Sequence, residues 1–153
     1  MKRKFFGEMM KEVLIYTDGA CSGNPGSGGY CAILNYQGVE KVISGGEKLT
    51  TNNRMELLAV INGVKALKEP CIVKIVSDSQ YVVSAFNNGW IYSWQLNGWK
   101  TANKKEVKNV DLWEELISLT KIHQIEFVKT LGHADDELNN RCDKIAREES
   151  KKF

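Results

Sequence analysis

Proline, long apolar runs and an excess of either charge are what this chain has least of. Only 2 of its 153 residues are Pro, so it is neither a proline-rich spacer nor a collagen-like repeat. Nowhere do about 18 apolar residues follow one another, which argues against a membrane-spanning helix. Basic and acidic residues number 21 and 19, a formal charge of +2. A balance that small identifies no partner, so the placement of the charges matters more than their sum. Cys21, Cys31, Cys71 and Cys142 include no C-x-x-C pair, which removes the usual zinc-ribbon and dithiol redox motifs. Cys31 and Cys71 sit in apolar, strand-like runs, where a thiol acts as a small hydrophobe. Scattered thiols of this kind suit a reducing cytoplasm. Residues 1–11 are basic and contain Phe5 and Phe6 but no sustained apolar stretch, so a short arm is expected there rather than a signal peptide.

What is present reads as one globular domain over residues 12–153, with 42% hydrophobic residues. Val13 to Thr17 is apolar and β-branched and stops at Asp18-Gly19, the pattern of a buried central strand. Five Gly and one Pro between Gly19 and Gly29 read as a loop. Tyr30–Tyr36 and Val39–Gly46 read as strands around a tight Gln37-Gly38 turn. Thr50-Thr51-Asn52-Asn53 offers several helix caps, and Asn53 with Glu56 three residues later approximates a capping box, opening a helix expected to reach about Lys68 ahead of Pro70. Ile72–Ser77 is a further strand, followed by Asp78 and a helix from about Gln80. Val110–Ile122 is an amphipathic helix, Ile125–Leu131 a fifth strand and Asp135–Glu149 a last helix. The order β-β-β-α-β-α-α-β-α predicts an α/β fold: a mixed five-stranded sheet, a three-strand antiparallel meander plus parallel strands, flanked by helices.

Acids occupy unusual places in this pattern. Asp18 and Asp78 each follow an apolar strand, and parallel neighbours would set both at one sheet edge, where α/β proteins bind ligands. Glu56 borders the helical arc of Leu57, Val60, Ile61, Val64 and Leu67, and Asp143 borders that of Leu138, Cys142, Ile145 and Ala146. Singly, an Asp after a strand is most often a turn or a cap. Together, close carboxylates repel and call for a cation. Oxygen-only ligands select Mg²⁺ or Mn²⁺ over zinc, and Mg²⁺ shares its shell readily with phosphate.

The segments around these acids carry a resemblance. Tyr16-Thr17-Asp18-Gly19 with Gly23-Asn24-Pro25-Gly26, Thr51-Asn52-Asn53-Arg54-Met55-Glu56-Leu57, Ser77-Asp78-Ser79-Gln80-Tyr81-Val82, and Gly132-His133-Ala134 with Asn139 and Arg141-Cys142-Asp143 occur in that order. With Trp99-Lys100-Thr101 and Lys108-Asn109-Val110-Asp111-Leu112-Trp113, they resemble bacterial type 1 ribonuclease H over residues 12 to 149. The resemblance implies a ribonuclease H-like fold and a metal-dependent endonuclease that hydrolyses the RNA strand of RNA–DNA hybrids. It implies two Mg²⁺ ions, replaceable by Mn²⁺, held by Asp18, Glu56, Asp78 and Asp143, and products ending in 5′-phosphate and 3′-hydroxyl. His133 would relay protons or help product leave; an unperturbed pKa near ~6.5 makes that chemistry available. His123 has no motif around it and is read as structural.

The same resemblance assigns the grip on the duplex. Cys21, Asn24, Asn52 and Gln80 match positions that meet RNA 2′-hydroxyls, and Thr51 and Asn53 match the DNA side. Few of these groups would read base edges, so little sequence preference is expected. All Trp residues fall between 90 and 113. Trp90, Trp94 and Trp99 with Lys100, Lys104 and Lys105 make residues 90–109 a basic, aromatic protrusion of formal charge +3, suited to a nucleic-acid backbone. The glycine-rich stretch lacks the Gly-Lys-Ser/Thr ending of a P-loop, so its glycines are read as allowing close approach to a minor groove. Four departures weaken the match: Gln95-Leu96-Asn97 in place of a basic cluster, Ser93 in place of a common Asn, Leu49 in place of a basic residue, and Thr130-Leu131-Gly132 in place of Val-Lys-Gly. Hybrid binding weaker and less salt-sensitive than in a more basic relative is therefore expected. An integrase-type nuclease lacks the Thr-Asn-Asn-Arg-Met-Glu segment, and a pure binding module would not need all the acids. A monomer with a hybrid duplex as partner, no membrane association and no separate hybrid-binding domain completes the expectation.

Overall fold

The computed structural model describes residues 4–5, 8–129 and 136–153. The chain opens with a two-residue ladder, β1 (Lys4–Phe5) against β2 (Glu8–Met9). The main sheet holds β3 (Lys11–Cys21), β4 (Gly26–Tyr36), β5 (Val39–Thr50), β6 (Cys71–Val76) and β7 (Gln124–Val128). Its helices are α1 (Asn52–Lys65), α2 (Gln80–Asn87), α3 (Trp90–Leu96), α4 (Val110–Thr120) and α5 (Asp136–Ser150). The strand order is β5-β4-β3-β6-β7. β3, β4 and β5 form the antiparallel meander, while β6 and β7 run parallel to β3. The expected mixed five-stranded sheet is thus present.

Alternation along the strands feeds two cores. Ile15, Ala32, Val73 and Ile75 face α1, α2 and α4, and Tyr16, Cys31, Ile33 and Val76 face α5. Trp113 is fully buried, with Tyr81, Trp94 and Phe86 around it at centroid distances of 5.2, 5.6 and 6.1 Å. Burial of each large apolar side chain contributes about 1.5–3 kcal/mol. Among the described residues no helix is long and apolar enough to cross a membrane.

The structure corrects the sequence reading at four places. The stretch from Gly19 to Gly29 is mostly strand: only residues 22–25 separate β3 from β4. Two of its glycines serve helix packing: a Cβ at Gly19 would lie 2.7 Å from Glu56 N, and one at Gly29 would lie 2.2 Å from Ala146 O, so they admit the protein's own α1 and α5. Second, of the caps that the sequence offered Thr51 is the one used, its Oγ1 accepting from Arg54 N at 3.3 Å, so Asn53 and Glu56 do not form the expected capping box. That leaves the Glu56 carboxylate free of capping duty. Third, α1 ends at Lys65, because Ala66 N and Leu67 N donate to Gly63 O and Val64 O and tighten the last turn into 3₁₀ geometry. Fourth, the helix after Asp78 is two helices. Asn88 closes α2, and Gly89, with φ 74°, turns the chain into α3.

Candidate active site

Four elements deliver the acids to one end of the sheet. The last β3–β6 register pair is Tyr16↔Val76, so Asp18 and Asp78 each lie two residues beyond it and stand side by side. Asp18 is not the end of its strand, as the sequence suggested. β3 continues to Cys21 by pairing with β4, where Asp18 faces Cys31. Only β6 stops, and Asp78 then lies between it and α2, whose N-cap is Ser79.

Glu56 projects from the first turns of α1 and is 6% exposed. Gly19 N donates both to Asp18 Oδ1 at 2.8 Å and to Glu56 Oε1 at 2.9 Å. Burial, then the Asp18 charge and hydrogen bond, push the Glu56 carboxyl well above its ordinary value, with Asp78 adding to the rise. Burial also raises Asp18; its hydrogen bonds to Glu56 and Gly19 oppose the rise, while the charges of Asp143 and Asp78 reinforce it. Asp18 therefore feels the other three acids, although they come from distant parts of the chain. Asp143, half-exposed on α5, is held by Arg147 one turn on, Oδ2 to Nη2 at 2.7 Å.

An all-oxygen donor set around a buried carboxylate fits a hard divalent cation. The positive charge it calls for is missing from the side chains: among the described residues no Lys or Arg pairs with Asp18, Glu56 or Asp78. Among the described residues, no three His, Cys, Asp or Glu side chains are grouped closely enough to hold a metal ion as they stand.

The other expected site residues flank this cluster. Cys21 Sγ contacts Gly26 O and Thr50 O, and Asn24 Oδ1 accepts from Asn52 N at 3.2 Å, tying the β3–β4 turn to α1. Gln80 opens α2, its Oε1 accepting from Ser84 Oγ. Thr51, Asn53, Trp94 and Lys105 line one cavity of about 330 Å³. Lys100 and Lys104 are exposed on the same protrusion, where Trp90 is 46% exposed. Trp99 is half-buried against the core. His133 lies outside the described residues. Tyr81 and Asn109 also line that cavity and were not singled out from sequence. Their signal was faint, since a Tyr and an Asn inside helix-boundary motifs read as packing and capping.

Comparison with known proteins places this geometry. The RNase H family model matches residues 10–151. A ribonuclease H from Caldicellulosiruptor saccharolyticus is 62% identical over 138 residues, covering 90% of this chain and 95% of the relative. Among solved structures, LC9-RNase H1, a type 1 RNase H with the type 2 active-site motif, superposes with a TM-score of 0.80 at 28% identity, covering 93% of this chain and 73% of that one. LC11-RNase H1 in complex with an RNA/DNA hybrid shares the fold at a TM-score of 0.66 and 21% identity, over 92% of this chain and 97% of that one. A family match across nearly the whole chain, on a fold that gathers acids at the sheet edge, makes this protein a nuclease of the ribonuclease H family.

Proposed function

We propose that this protein hydrolyses the RNA strand of RNA–DNA hybrids at the site formed by Asp18, Glu56, Asp78 and Asp143, with little sequence preference. The observation that carries the proposal is the Gly19 N–H shared by Asp18 and the buried Glu56, within electrostatic reach of Asp78 and Asp143. Two Mg²⁺ ions, or Mn²⁺ in their place, would supply a water that ionises near neutral pH and would neutralise charge on the leaving 3′-oxygen. Asp18, Glu56, Asp78 and Asp143 would hold the ions. Departure of the 3′-oxygen leaves 5′-phosphate and 3′-hydroxyl ends. By the family resemblance, His133 would relay protons or help product leave.

The duplex would lie across the cluster and the protrusion. Cys21, Asn24, Asn52 and Gln80 suit the RNA 2′-hydroxyls, which distinguish RNA from DNA. Thr51 and Asn53, with Trp90, Trp94, Trp99, Lys100, Lys104 and Lys105, suit the DNA strand and its phosphates. One catalytic domain over 12–153, preceded by the arm of residues 1–11, would act as a monomer in the cytoplasm, a setting that suits its free thiols.

The decisive experiment uses a hybrid labelled on its RNA strand, with Mg²⁺ or with EDTA, beside an Asp18→Asn variant. RNA cleavage only within the hybrid, requiring both the metal and Asp18, is the expected result. Binding of the hybrid without cleavage in either Mg²⁺ or Mn²⁺ would refute it.

A further inference from the structure

One guanidinium ties the start of α1 to the base of the protrusion. Arg54 Nε donates to Glu47 Oε1 at 3.2 Å. Its Nη1 and Nη2 reach Asp111 Oδ1 and Oδ2 at 3.4 and 3.3 Å, and Nη1 also reaches Asn109 Oδ1 at 3.5 Å. Asn109 stands at the N-cap of α4 but makes no capping bond with its side chain. Instead its Nδ2 donates to the Tyr81 hydroxyl at 3.2 Å, which also accepts from Trp113 Nε1 at 3.1 Å. The network joins β5, α1, α2 and α4.

The segment above this network does not hold its shape by backbone preference. Trp99, Lys104 and Asn109 each have φ of 62°, a left-handed conformation unfavourable for side chains other than glycine. Such residues persist where their surroundings over-determine them. Locally, Val107 N donates to Trp99 O at 3.0 Å and Thr101 N to Lys105 O at 2.8 Å. At the base, Asn109 is held from below by Arg54 and Tyr81.

We propose that Arg54 is a positioning residue for the nucleic-acid cleft. It sets the distance between Thr51 and Asn53 on one wall and Thr101 and Lys105 on the other, around the cavity of about 330 Å³. All three guanidinium nitrogens are engaged by Glu47, Asp111 and Asn109, and the Glu47 and Asp111 carboxylates offset the charge. Arg54 therefore shapes the cleft without itself gripping a phosphate. This inference rests on the hybrid-nuclease reading.

The test compares Arg54→Gln, Asp111→Asn and the double variant in steady-state cleavage of an RNA–DNA hybrid, with hybrid affinity measured against salt in EDTA. Asp111→Asn discriminates because it makes the protein more positive. Simple electrostatics would tighten binding, whereas loss of positioning raises KM about fivefold or more with kcat within about twofold. The positioning role further expects similar KM for both single variants, a double variant no worse than either, and an unchanged log–log salt slope. Melting curves set an assay temperature well below each midpoint; residual unfolding would lower kcat through the folded fraction and leave KM alone. If Asp111→Asn binds as well as wild type or better, while Arg54→Gln lowers the salt slope by about 0.9, the value for one lost phosphate contact, Arg54 grips phosphate directly and the inference falls. Unmoved KM in both single variants overturns it equally. Failure of the wild type to cleave hybrid would instead sink the underlying functional reading.

Discussion

Asp18 and Glu56 draw on a single donor, the Gly19 N–H, which lies 2.8 Å from one carboxylate and 2.9 Å from the other. Gly19 is also the residue whose missing Cβ lets α1 approach β3. The same absence thus brings Glu56 to the sheet and supplies the amide it shares. One N–H cannot stabilise two charges in a partly dry site, so the metal-free protein carries a costly carboxylate there.

Glu56→Gln is expected to stabilise the metal-free protein while abolishing cleavage. The raised Glu56 value favours the protonated folded form, so wild-type stability in EDTA falls as pH rises above 4.5 and levels off beyond the folded-state value. The variant should lose that slope and gain on the order of 1–3 kcal/mol at pH 7, the range for relieving an uncompensated buried polar group. Urea unfolding in EDTA between pH 4.5 and 8 would show it; an unchanged slope in the variant would contradict it.

On the proposed reading, Arg147 competes with the metal for Asp143. Their 2.7 Å pair is surface-exposed and spans i to i+4, an arrangement contributing only about 0.3–0.5 kcal/mol. Arg147→Ala should therefore tighten Mn²⁺ binding about twofold, as that energy implies. Isothermal titration without substrate measures this directly. Weaker binding would mean that Arg147 orients Asp143 instead.

Leu96 is 88% exposed on the protrusion, within the Gln95-Leu96-Asn97 stretch where a basic cluster was expected. Leu96→Lys should tighten hybrid binding and steepen the log–log salt slope by about 0.9 if the new charge meets a phosphate. An unchanged slope would place the duplex elsewhere.

His123 is buried and accepts from Cys71 N through Nδ1 at 3.1 Å, which requires the neutral ring. Burial lowers its pKa below 6.5, so the unfolded chain takes up the proton first. Stability from this group holds above pH 6.5 and declines as pH falls below it. His123→Asn offers a similar acceptor without titrating, and its stability between pH 6.5 and 5 should fall less steeply than that of wild type in chemical denaturation.

The acids were legible in the sequence because each breaks a local rule. Asp18 and Asp78 interrupt apolar strands, and Glu56 and Asp143 sit at the margins of buried helical faces. The mixed sheet, a meander plus parallel strands, followed from element order alone. The glycine run misled because composition reports freedom of the backbone and not what packs against it. Gly29 is glycine on account of Ala146, more than a hundred residues away, and no local pattern carries that information. The division between α2 and α3 turned on Gly89 taking a positive φ directly after Asn87 and Asn88. The Arg54 network was hidden for a similar reason: its members are unremarkable polar residues until the fold joins β5 to α4.

The Tyr16↔Val76 register has a consequence for how this site tolerates change. Adjacent strands stand about 4.8 Å apart, and same-face positions recur about every 6.6 Å along a strand. The separation of Asp18 and Asp78 is therefore discrete: repacking either core moves it by fractions of an ångström, and only a slipped strand can alter it further. A slip of one residue would also turn every buried side chain of β6 toward the opposite face. Folding and catalytic geometry are thus verified by the same ladder of hydrogen bonds, and a chain that has paired these strands correctly has already spaced its aspartates.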